Sequence, residues 1–314
     1  MTKLFDYDEG EAFGIYVLIK AADVRIARNG NPFIAFRFQD QSGAMDGMYW
    51  SASEEEVAKF QVGKVVFLRG ERDNYQGSPQ VKIKAIRLAE AGEPDDPSLY
   101  VERIPFKVED LKEELNDALF EIHEPTINRI VRKILSDHEA AFYSYPAAKR
   151  NHHALAGGLA FHTVSMLRIA RSLIKIYPDL NPSLLLGGLI LHDIGKTIEL
   201  SGVIATEYTL KGKMLGHIVI MSEMIDQASV KIGIDPESEP VVLLKHMVLA
   251  HHGKLEFGSP VTPKLIEAEV LHQIDNLDAT INMISGALDK TSPGEESAQI
   301  YPLDRRAFYK PRFK

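Results

Sequence analysis

The spacing of hydrophobic residues changes once along the chain, at a segment of proline, glycine and acidic residues near positions 90–105. Before this segment, apolar and polar residues alternate in short runs, as they do in half-buried β-strands. After it, apolar residues recur at spacings of three and four, as they do on one face of a helix. The 314 residues suffice for two domains of ordinary size. We therefore expect a β domain over residues 1–90, a linker over 91–105 and an all-α domain over 106–314.

The first ninety residues contain five or six short strand-like runs, separated by turn signals at Asn29–Pro32, Asp40–Gly43 and Gln76–Pro79. A short polar segment, Ser53–Phe60, is predicted to be a helix with Ser51 or Ser53 as its N-cap. This pattern predicts a small closed barrel, for which the OB-fold is the first candidate, in an α+β multidomain protein. The candidate strands are Phe13–Ala22, Val24–Arg28, Phe33–Asp40, Ala44–Trp50, Val65–Arg72 and Val81–Leu88.

Composition excludes several classes of protein. No apolar run reaches the roughly 18 residues of a membrane-spanning helix. The acidic and polar N-terminus does not resemble a signal peptide. Cysteine is absent, which excludes thiolate metal sites and is compatible with a reducing cytoplasm. The net charge of −8 argues against a uniformly basic surface, although a local basic groove remains compatible with it.

The helical part contains a concentration of residues that bind metals. An apolar run from Leu184 to Leu191 ends in His192 and Asp193, followed by Ile194, Gly195 and Lys196. A buried carboxylate is costly unless it is paired or bound to a cation. Imidazole and carboxylate together suit Zn, Mn, Fe or Co. Further candidates, in chain order, are His162, His217, His251, His252 and Asp275. The predicted helices around them are Ala154–Tyr177, Pro182–Ile194, Gly216–Gly233, Val241–Ala250 and Pro263–Leu288.

The order and spacing of these residues resemble the metal signature of the HD superfamily of phosphohydrolases. The resemblance implies a first metal bound by four residues: His162, His192, Asp193 and Asp275. It implies a second metal bound by His217 and His251, bridged to the first by Asp193. Spacing does not choose between His251 and its neighbour His252, whereas the resemblance favours His251 and leaves His252 to contact phosphate. Lys196 would lie beside the phosphate, so the implied catalytic set is Asp193, Lys196 and His252.

The physical chemistry agrees with that resemblance. Hydrolysis of a phosphodiester needs a nucleophile made from water and positive charge on the phosphate oxygens. Two divalent cations about 4 Å apart supply both.

An OB barrel is a common platform for single-stranded nucleic acid. The segment Gln61–Ala89 carries six basic residues against two acidic residues. Lys82 and Lys84 share one strand face by parity, whereas Tyr49 and Trp50 must point to opposite faces. The alternative is that most aromatic residues belong to the barrel core. The predicted nucleic-acid contacts are Trp50, Arg69, Arg72, Tyr75, Lys82 and Lys84.

The whole chain, from about residue 11 to its end, resembles the YhaM-type 3'-to-5' exoribonucleases. The resemblance rests on the quoted HD-type motifs and on further short motifs. These are Phe38–Gly43, Tyr145–Ala148, Asn151–His153, Gly158–His162, Ile190–Lys196, His251–Lys254, Gly258–Pro260 and Phe308–Pro311. The resemblance implies a cytoplasmic homo-oligomer that trims single-stranded RNA from its 3' end. It also implies dependence on Mn²⁺ or a similar divalent ion, with two ions per subunit.

Other interpretations stay open on the sequence alone. Single-stranded DNA is an alternative strand for the same site. The chain could instead be a phosphohydrolase of small nucleotides, or a DNA-binding replication accessory protein whose helical domain has lost activity. The basic and aromatic tail, Arg305–Lys314, could contact nucleic acid, its own domain or a neighbouring subunit.

Overall fold

The computed structural model describes residues 2–27, 30–75, 78–148, 155–204 and 206–313. The chain divides into two compact units. One comprises Met1–Arg103 and Gly202–Thr206, and the other comprises Ile104–Ser201 and Glu207–Lys314.

The first unit is a closed barrel with the strand order β1-β2-β3-β5-β4. Neighbouring strands pair antiparallel except β3 and β5, which pair in parallel. The strands are β1 (Ala12–Ile26), β2 (Pro32–Asp40), β3 (Gly43–Trp50), β4 (Val65–Tyr75) and β5 (Ser78–Leu88).

The two strand-like runs at the start of the chain are one strand. Strand β1 is continuous and pairs with both β2 and β4. Its register with β2 shifts between Ile19 and Ala21. The prediction of separate strands Phe13–Ala22 and Val24–Arg28 was therefore wrong, because a change in alternation can mark a bulge as well as a turn.

The barrel interior is filled by the inward residues of the strands. Phe36 and Phe38 are both buried, with ring centroids 5.1 Å apart. Helix α1 (Glu54–Lys59) follows β3, and Ser53 is its N-cap in a reciprocal capping box with Glu56. The aromatic residues that share a parity on β2 are thus core residues, as the alternative interpretation of the barrel aromatics required.

The segment predicted as a linker is packed rather than extended. A 3₁₀ turn at Pro97–Tyr100 buries the Tyr100 ring, and the Tyr100 hydroxyl donates to the Pro94 carbonyl at 2.7 Å. Arg87 holds Glu93 through two hydrogen bonds of 2.7 Å. Residues up to Arg103 belong to the barrel unit. Proline-rich composition indicates that a segment is not helical, but it does not indicate that the segment is unpacked.

The second unit consists of helices around one apolar core. Its central helix is α5, which is buried from Ser183 to Leu191 and contacts α2, α3, α4, α8 and α9. The helices are α2 (Val108–Glu121), α3 (Pro125–Ser144), α4 (Gly158–Ile176), α5 (Pro182–Leu191), α6 (Lys196–Glu199), α7 (Leu210–Lys231), α8 (Glu239–Ala250) and α9 (Ile266–Asp289).

Two glycines allow α5 to lie at the centre. A β-carbon at Gly187 would meet the Ile127 side chain at 2.5 Å, and one at Gly188 would meet Met247 at 2.8 Å. Close approach of α3 and α8 to α5 therefore depends on these two positions.

The predicted helices are present with shifted ends. Helix α5 ends at Leu191 instead of continuing to Ile194, and α7 begins at Leu210 instead of Gly216. The expected start of α4 at Ala154, the motif Asn151–His153 and the turn residues Asn29, Gln76 and Gly77 lie outside the described residues. None of the described helices is both long enough and apolar enough to cross a membrane.

Candidate metal centre

The end of helix α5 delivers the central pair of the site. His192 is the C-cap of α5, and Asp193 follows in a tight turn that leads into α6. Both side chains are almost completely buried. The turn must lie against α7, because a β-carbon at Gly195 would stand 2.3 Å from the carbonyl oxygen of His217. The apolar run therefore places an imidazole and a carboxylate inside the protein, as predicted.

Each histidine around this pair has its Nδ1 atom held by an oxygen. For His192, His251 and His252 the partners are the carbonyl oxygens of Leu189, Val248 and Phe257, at 2.7, 2.7 and 2.8 Å. A carbonyl oxygen only accepts hydrogen bonds, so Nδ1 of these rings carries the proton. The lone pair of each ring is therefore on Nε2, which is the atom free to bind a metal.

Four buried polar atoms of this cluster form no hydrogen bond within the described residues: Nε2 of His192, His217 and His251, and Oδ1 of Asp193. Nε2 of His217 and of His251 lie 3.4 and 4.0 Å from Asp193 Oδ1. Nε2 of His192 lies 3.4 Å from Asp193 Oδ2. Unsatisfied buried lone pairs are costly, and bound cations would satisfy them. The donor set fits a divalent metal with nitrogen and oxygen ligands.

His162 completes the first predicted ligand set with Asp275. Nε2 of His162 lies 3.1 Å from Asp275 Oδ1 and 3.9 Å from Asp193 Oδ2. Its Nδ1 lies 2.7 Å from Asp278 Oδ2. Asp278 shares a helix face with Asp275, three residues away on α9, and it orients the ring from behind.

His217 owes its position to a break in helix α7. Gly216 has a left-handed backbone (φ 71°, ψ 159°), which interrupts the helix and restarts it at His217. The Glu199 carboxylate accepts from the backbone N–H of His217 at 3.1 Å and contacts its Nδ1 at 3.2 Å. Glu199 was not among the predicted site residues. The only sequence signal for it is one acidic residue shortly after the His-Asp pair.

The structure bears on the choice between His251 and His252. His251 is completely buried and contacts the Asp193 carboxylate, whereas His252 is partly exposed. The ligand atoms of His217, His251 and His252 nevertheless all lie within 4.8 Å of one another, as do those of His162, His192 and Asp193. Both histidines therefore belong to the second group of candidate ligands, and His251 is the nearer of the two to Asp193, the predicted bridging carboxylate.

The Lys196 side chain contacts the Asp193 carboxylate directly. Its ammonium lies 2.6 Å from Asp193 Oδ2, one turn along the chain. Burial opposes ionisation of Asp193, but Lys196 and His192 outweigh it and hold the pKa of this carboxyl well below its usual value. Burial likewise disfavours the charged ammonium, yet Asp193 raises the pKa of Lys196. The two groups therefore form a buried ion pair.

The histidines of the cluster differ in charge. Burial, reinforced by His252 and His192, holds the pKa of His251 well below its usual value, which keeps the ring neutral. Burial acts in the same direction on His162, but hydrogen bonds with Asp275 and Asp278 raise the pKa of this ring to about 9. A neutral ring is the metal-binding form of histidine, so a cation bound at Nε2 of His162 would have to displace the proton that this atom shares with Asp275.

Two further described histidines lie outside the cluster or behind it. His246 accepts from the backbone N–H of Lys264 at 2.9 Å and lies outside the cluster. His272 contacts the His251 carbonyl at 3.0 Å through its Nδ1, so it supports the backbone of His251 from behind. His152 and His153 lie outside the described residues.

The candidate nucleic-acid residues of the barrel have mixed surroundings. Trp50 is 60% exposed and stacks on Phe33 at 4.7 Å, while Tyr49 lies against the barrel core on the other face. Tyr75 is 61% exposed at the end of β4. These rings are available for base stacking.

The basic candidates divide into free and engaged side chains. Arg69, Lys82 and Lys84 are exposed, but Lys84 forms a 2.8 Å ion pair with Glu71. The Arg72 guanidinium donates to the carbonyls of Phe5 and Tyr7 and lies over the Phe5 ring. The Arg72 guanidinium therefore holds the N-terminal segment on the barrel, and its contact with nucleic acid stays a prediction. Parity on a strand predicts the face but not the local partner.

Comparisons with known proteins agree with both units. The family model of the HD domain matches residues 159–280. The family model of an OB-fold nucleic acid binding domain matches residues 17–89. The chain is 47% identical over 307 residues to a protein named 3'-5' exoribonuclease YhaM from Geobacillus sp. (strain WCH70), which covers 98% of this chain and 94% of the relative. The chain belongs to the YhaM family.

Membership confirms the predicted resemblance and the fold class, an N-terminal OB-fold followed by a helical HD domain. Among solved structures, the second OB-fold domain of replication protein A from Methanococcus maripaludis is 14% identical. It covers 29% of this chain and 96% of its own, with a TM-score of 0.24.

Proposed function

We propose that the protein is a metal-dependent 3'-to-5' exoribonuclease that hydrolyses phosphodiester bonds of single-stranded RNA in its HD domain. The observation that carries the proposal is the set of unsatisfied buried Nε2 and Oδ1 atoms that converge around Asp193. The name of the related protein, a 3'-5' exoribonuclease, supports the direction of attack and the RNA substrate.

The arrangement of the donor atoms supports a proposal of two metal sites. The first would be held by His162, His192, Asp193 and Asp275. The second would be held by His217 and His251, and the two oxygens of Asp193 face the two groups separately. We propose Mn²⁺ as the ion, with Co²⁺, Fe²⁺ and Zn²⁺ compatible with the same ligands. Bound divalent ions supply positive charge for the phosphate oxygens and lower the pKa of water.

The protein's own side chains have distinct tasks at this centre. Glu199 and Asp278 fix the orientation of His217 and His162 through their Nδ1 atoms. Lys196 carries a buried positive charge next to Asp193, within reach of a phosphate bound there. His252 is half-buried, lies in the second group and has no close contact with the Asp193 carboxylate, which supports a role in contacting a substrate phosphate.

The barrel would hold the strand. The exposed rings of Trp50 and Tyr75 and the exposed cations Arg69, Lys82 and Lys84 are the features on which single-stranded nucleic acid is bound. Homo-oligomerisation and a cytoplasmic location remain predictions from the family resemblance.

The test uses 5'-labelled RNA, the matching DNA and a panel of mononucleotides, each incubated with Mn²⁺ and the purified protein. We expect stepwise shortening of the RNA from its 3' end. Asp193→Asn should abolish shortening and reduce the bound metal measured by mass spectrometry. Asp226→Asn, which alters a surface ion pair with Lys245, should leave both unchanged. Hydrolysis of mononucleotides without shortening of RNA would contradict the proposal in favour of a small-nucleotide phosphohydrolase.

A further inference from the structure

A short turn follows the half-buried histidine of the candidate metal centre, His252, along the chain. Residues Leu255–Phe257 form a 3₁₀ turn that ends at Gly258, whose backbone is left-handed (φ 93°). Two hydrogen bonds close the turn: the Phe257 N–H donates to the Lys254 carbonyl at 3.1 Å, and the Gly258 N–H donates to the Leu255 carbonyl at 3.0 Å. The turn is therefore locally fixed, and it begins three residues beyond His252.

The turn is also tied to the metal centre by its backbone. The Phe257 carbonyl accepts the Nδ1 proton of His252 at 2.8 Å. His252 in turn has its ring centroid 4.3 Å from that of His251 and 5.4 Å from that of His217. The position of the Phe257 backbone is thus set relative to the ligands, independently of what its side chain contacts.

The Phe257 side chain is not part of the apolar core of the helical unit. It is 57% exposed, and the ammonium of Lys254 lies 5.3 Å from the centre of its ring. Lys254 itself is exposed and has a loose contact of 3.6 Å with Glu256, which is exposed too. A surface ion pair of this kind contributes little stability, so a phosphate can displace Glu256 at low cost. An aromatic face and a cation are therefore presented together, beside the group that binds the metals.

We propose that Phe257 and Lys254 form a platform for one nucleotide of the RNA strand close to its scissile bond. The ring stacks on the base of that nucleotide, and the ammonium contacts a phosphate adjacent to it. This inference rests on the proposed exoribonuclease function and assigns a positioning role within it. Stacking on an aromatic ring tolerates every base, which suits an enzyme that removes nucleotides one after another.

The helical unit offers a matched control for this arrangement. Phe120 near the end of α2 is 73% exposed, and the Arg132 guanidinium lies 5.3 Å from the centre of its ring. The chemistry is the same, an exposed phenylalanine with a cation over its face, but no bond links Phe120 to a metal ligand among the described residues. Phe120→Ala therefore removes an equivalent ring and an equivalent apolar surface without touching the proposed platform.

The experiment measures kcat and KM on RNA for wild type, Phe257→Ala, Phe257→Trp, Lys254→Gln and Phe120→Ala. The small phosphodiester bis(p-nitrophenyl) phosphate, hydrolysed with Mn²⁺, reports the metal centre without a strand. We expect Phe257→Ala to raise KM on RNA by about tenfold while hydrolysis of the small ester stays close to wild type. Phe257→Trp should restore KM, Lys254→Gln should raise it by a smaller factor, and Phe120→Ala should behave as wild type.

Abasic RNA makes the assignment specific. The substrates are RNA strands that each carry one abasic residue at a different position near the 3' end. In wild type, the strand whose abasic residue lies at the position that stacks on Phe257 should have a higher KM than intact RNA. In Phe257→Ala the same replacement should have no further effect, because the two changes remove one contact.

The outcomes separate the two proposals. If wild type shortens RNA but Phe257→Ala matches Phe120→Ala, or if the abasic effect persists in Phe257→Ala, the platform is wrong and the exoribonuclease assignment stands. If wild type hydrolyses only the small ester, both proposals are overturned.

Discussion

The two units of the molecule hold their candidate functional residues in opposite ways. In the helical unit the candidate ligands are among the most buried polar residues, with His162, His192 and His251 at 0% exposure. In the barrel the candidate contacts are among the most exposed residues, with Trp50 and Tyr75 at 60% and 61%. The members of the first group contact one another inside the protein, whereas Trp50 and Tyr75 present most of their surface to solvent.

This difference sets the scale of mutational effects. A buried polar cluster acts as a unit, because removing one member leaves the others unsatisfied in a site with little water. An exposed binding surface acts as a sum of separate contacts, each worth a small part of the affinity. Changes in the buried cluster of the helical unit should therefore lower catalysis strongly on any substrate, whereas changes in the barrel should weaken only the binding of the RNA strand, each by a small amount.

The largest expected contrast lies between the adjacent histidines His251 and His252. His251→Gln should lower hydrolysis of both RNA and the small ester by more than about a hundredfold, above the 10- to 100-fold range typical of outer partners of a metal. His252→Gln should have a smaller effect and should leave the amount of bound metal unchanged. Metal content by mass spectrometry and kcat on both substrates check this prediction.

Thermal denaturation serves as the control for both variants, since His251 is buried and its replacement can reduce stability without affecting chemistry. A loss of metal in His252→Gln that exceeds the loss in His251→Gln would make His252 the ligand and reverse the assignment.

A smaller effect is expected one step away from the metal. Glu199→Gln keeps the size of the side chain but removes the negative charge beside Nδ1 of His217. The apparent affinity for Mn²⁺ should fall by about 10- to 100-fold, with activity restored at high Mn²⁺ concentration. The matched control is Glu223→Gln, which changes an exposed ion pair with Lys211. Both of these residues lie on α7, the helix that carries His217. Equal Mn²⁺ dependence in the two variants would show that Glu199 does not orient the ligand.

The sequence could predict the ligands better than their supports. Ligands such as His192 and Asp193 follow an apolar run that must be buried, and burial of a carboxylate demands a partner. Glu199 could not be found in this way, because its role depends on the break at Gly216, which brings distant segments together. Backbone carbonyls that fix Nδ1, such as that of Phe257, have no sequence signal at all.

The barrel shows the same limit from the other side. Alternation along a strand correctly predicted that Tyr49 and Trp50 point to opposite faces. It could not show that Arg72 and Lys84, two of the predicted nucleic-acid contacts, each have a partner within the barrel. A period of two residues determines the face of a strand, whereas the availability of a charge depends on side chains from other strands.

The smallest expected effect compares two lysines on one face of strand β5. Lys82 forms no salt bridge among the residues that the structure describes, whereas Lys84 is paired with Glu71 at 2.8 Å. If each lysine contacts one phosphate, Lys82→Ala should reduce the slope of log affinity against log salt by about 0.7, the value for one contact with a single strand. Lys84→Ala should reduce it less, because this lysine must first leave Glu71. Glu71→Gln should then steepen the slope by releasing Lys84, and it should do so only when Lys84 is present. Filter binding of labelled RNA across a salt series measures wild type, the three single variants and the double variant Glu71→Gln/Lys84→Ala, with hydrolysis of the small ester as the reference. Identical slopes in all of them would remove β5 from the strand-binding surface and leave that role to the aromatic pair of Phe33 and Trp50.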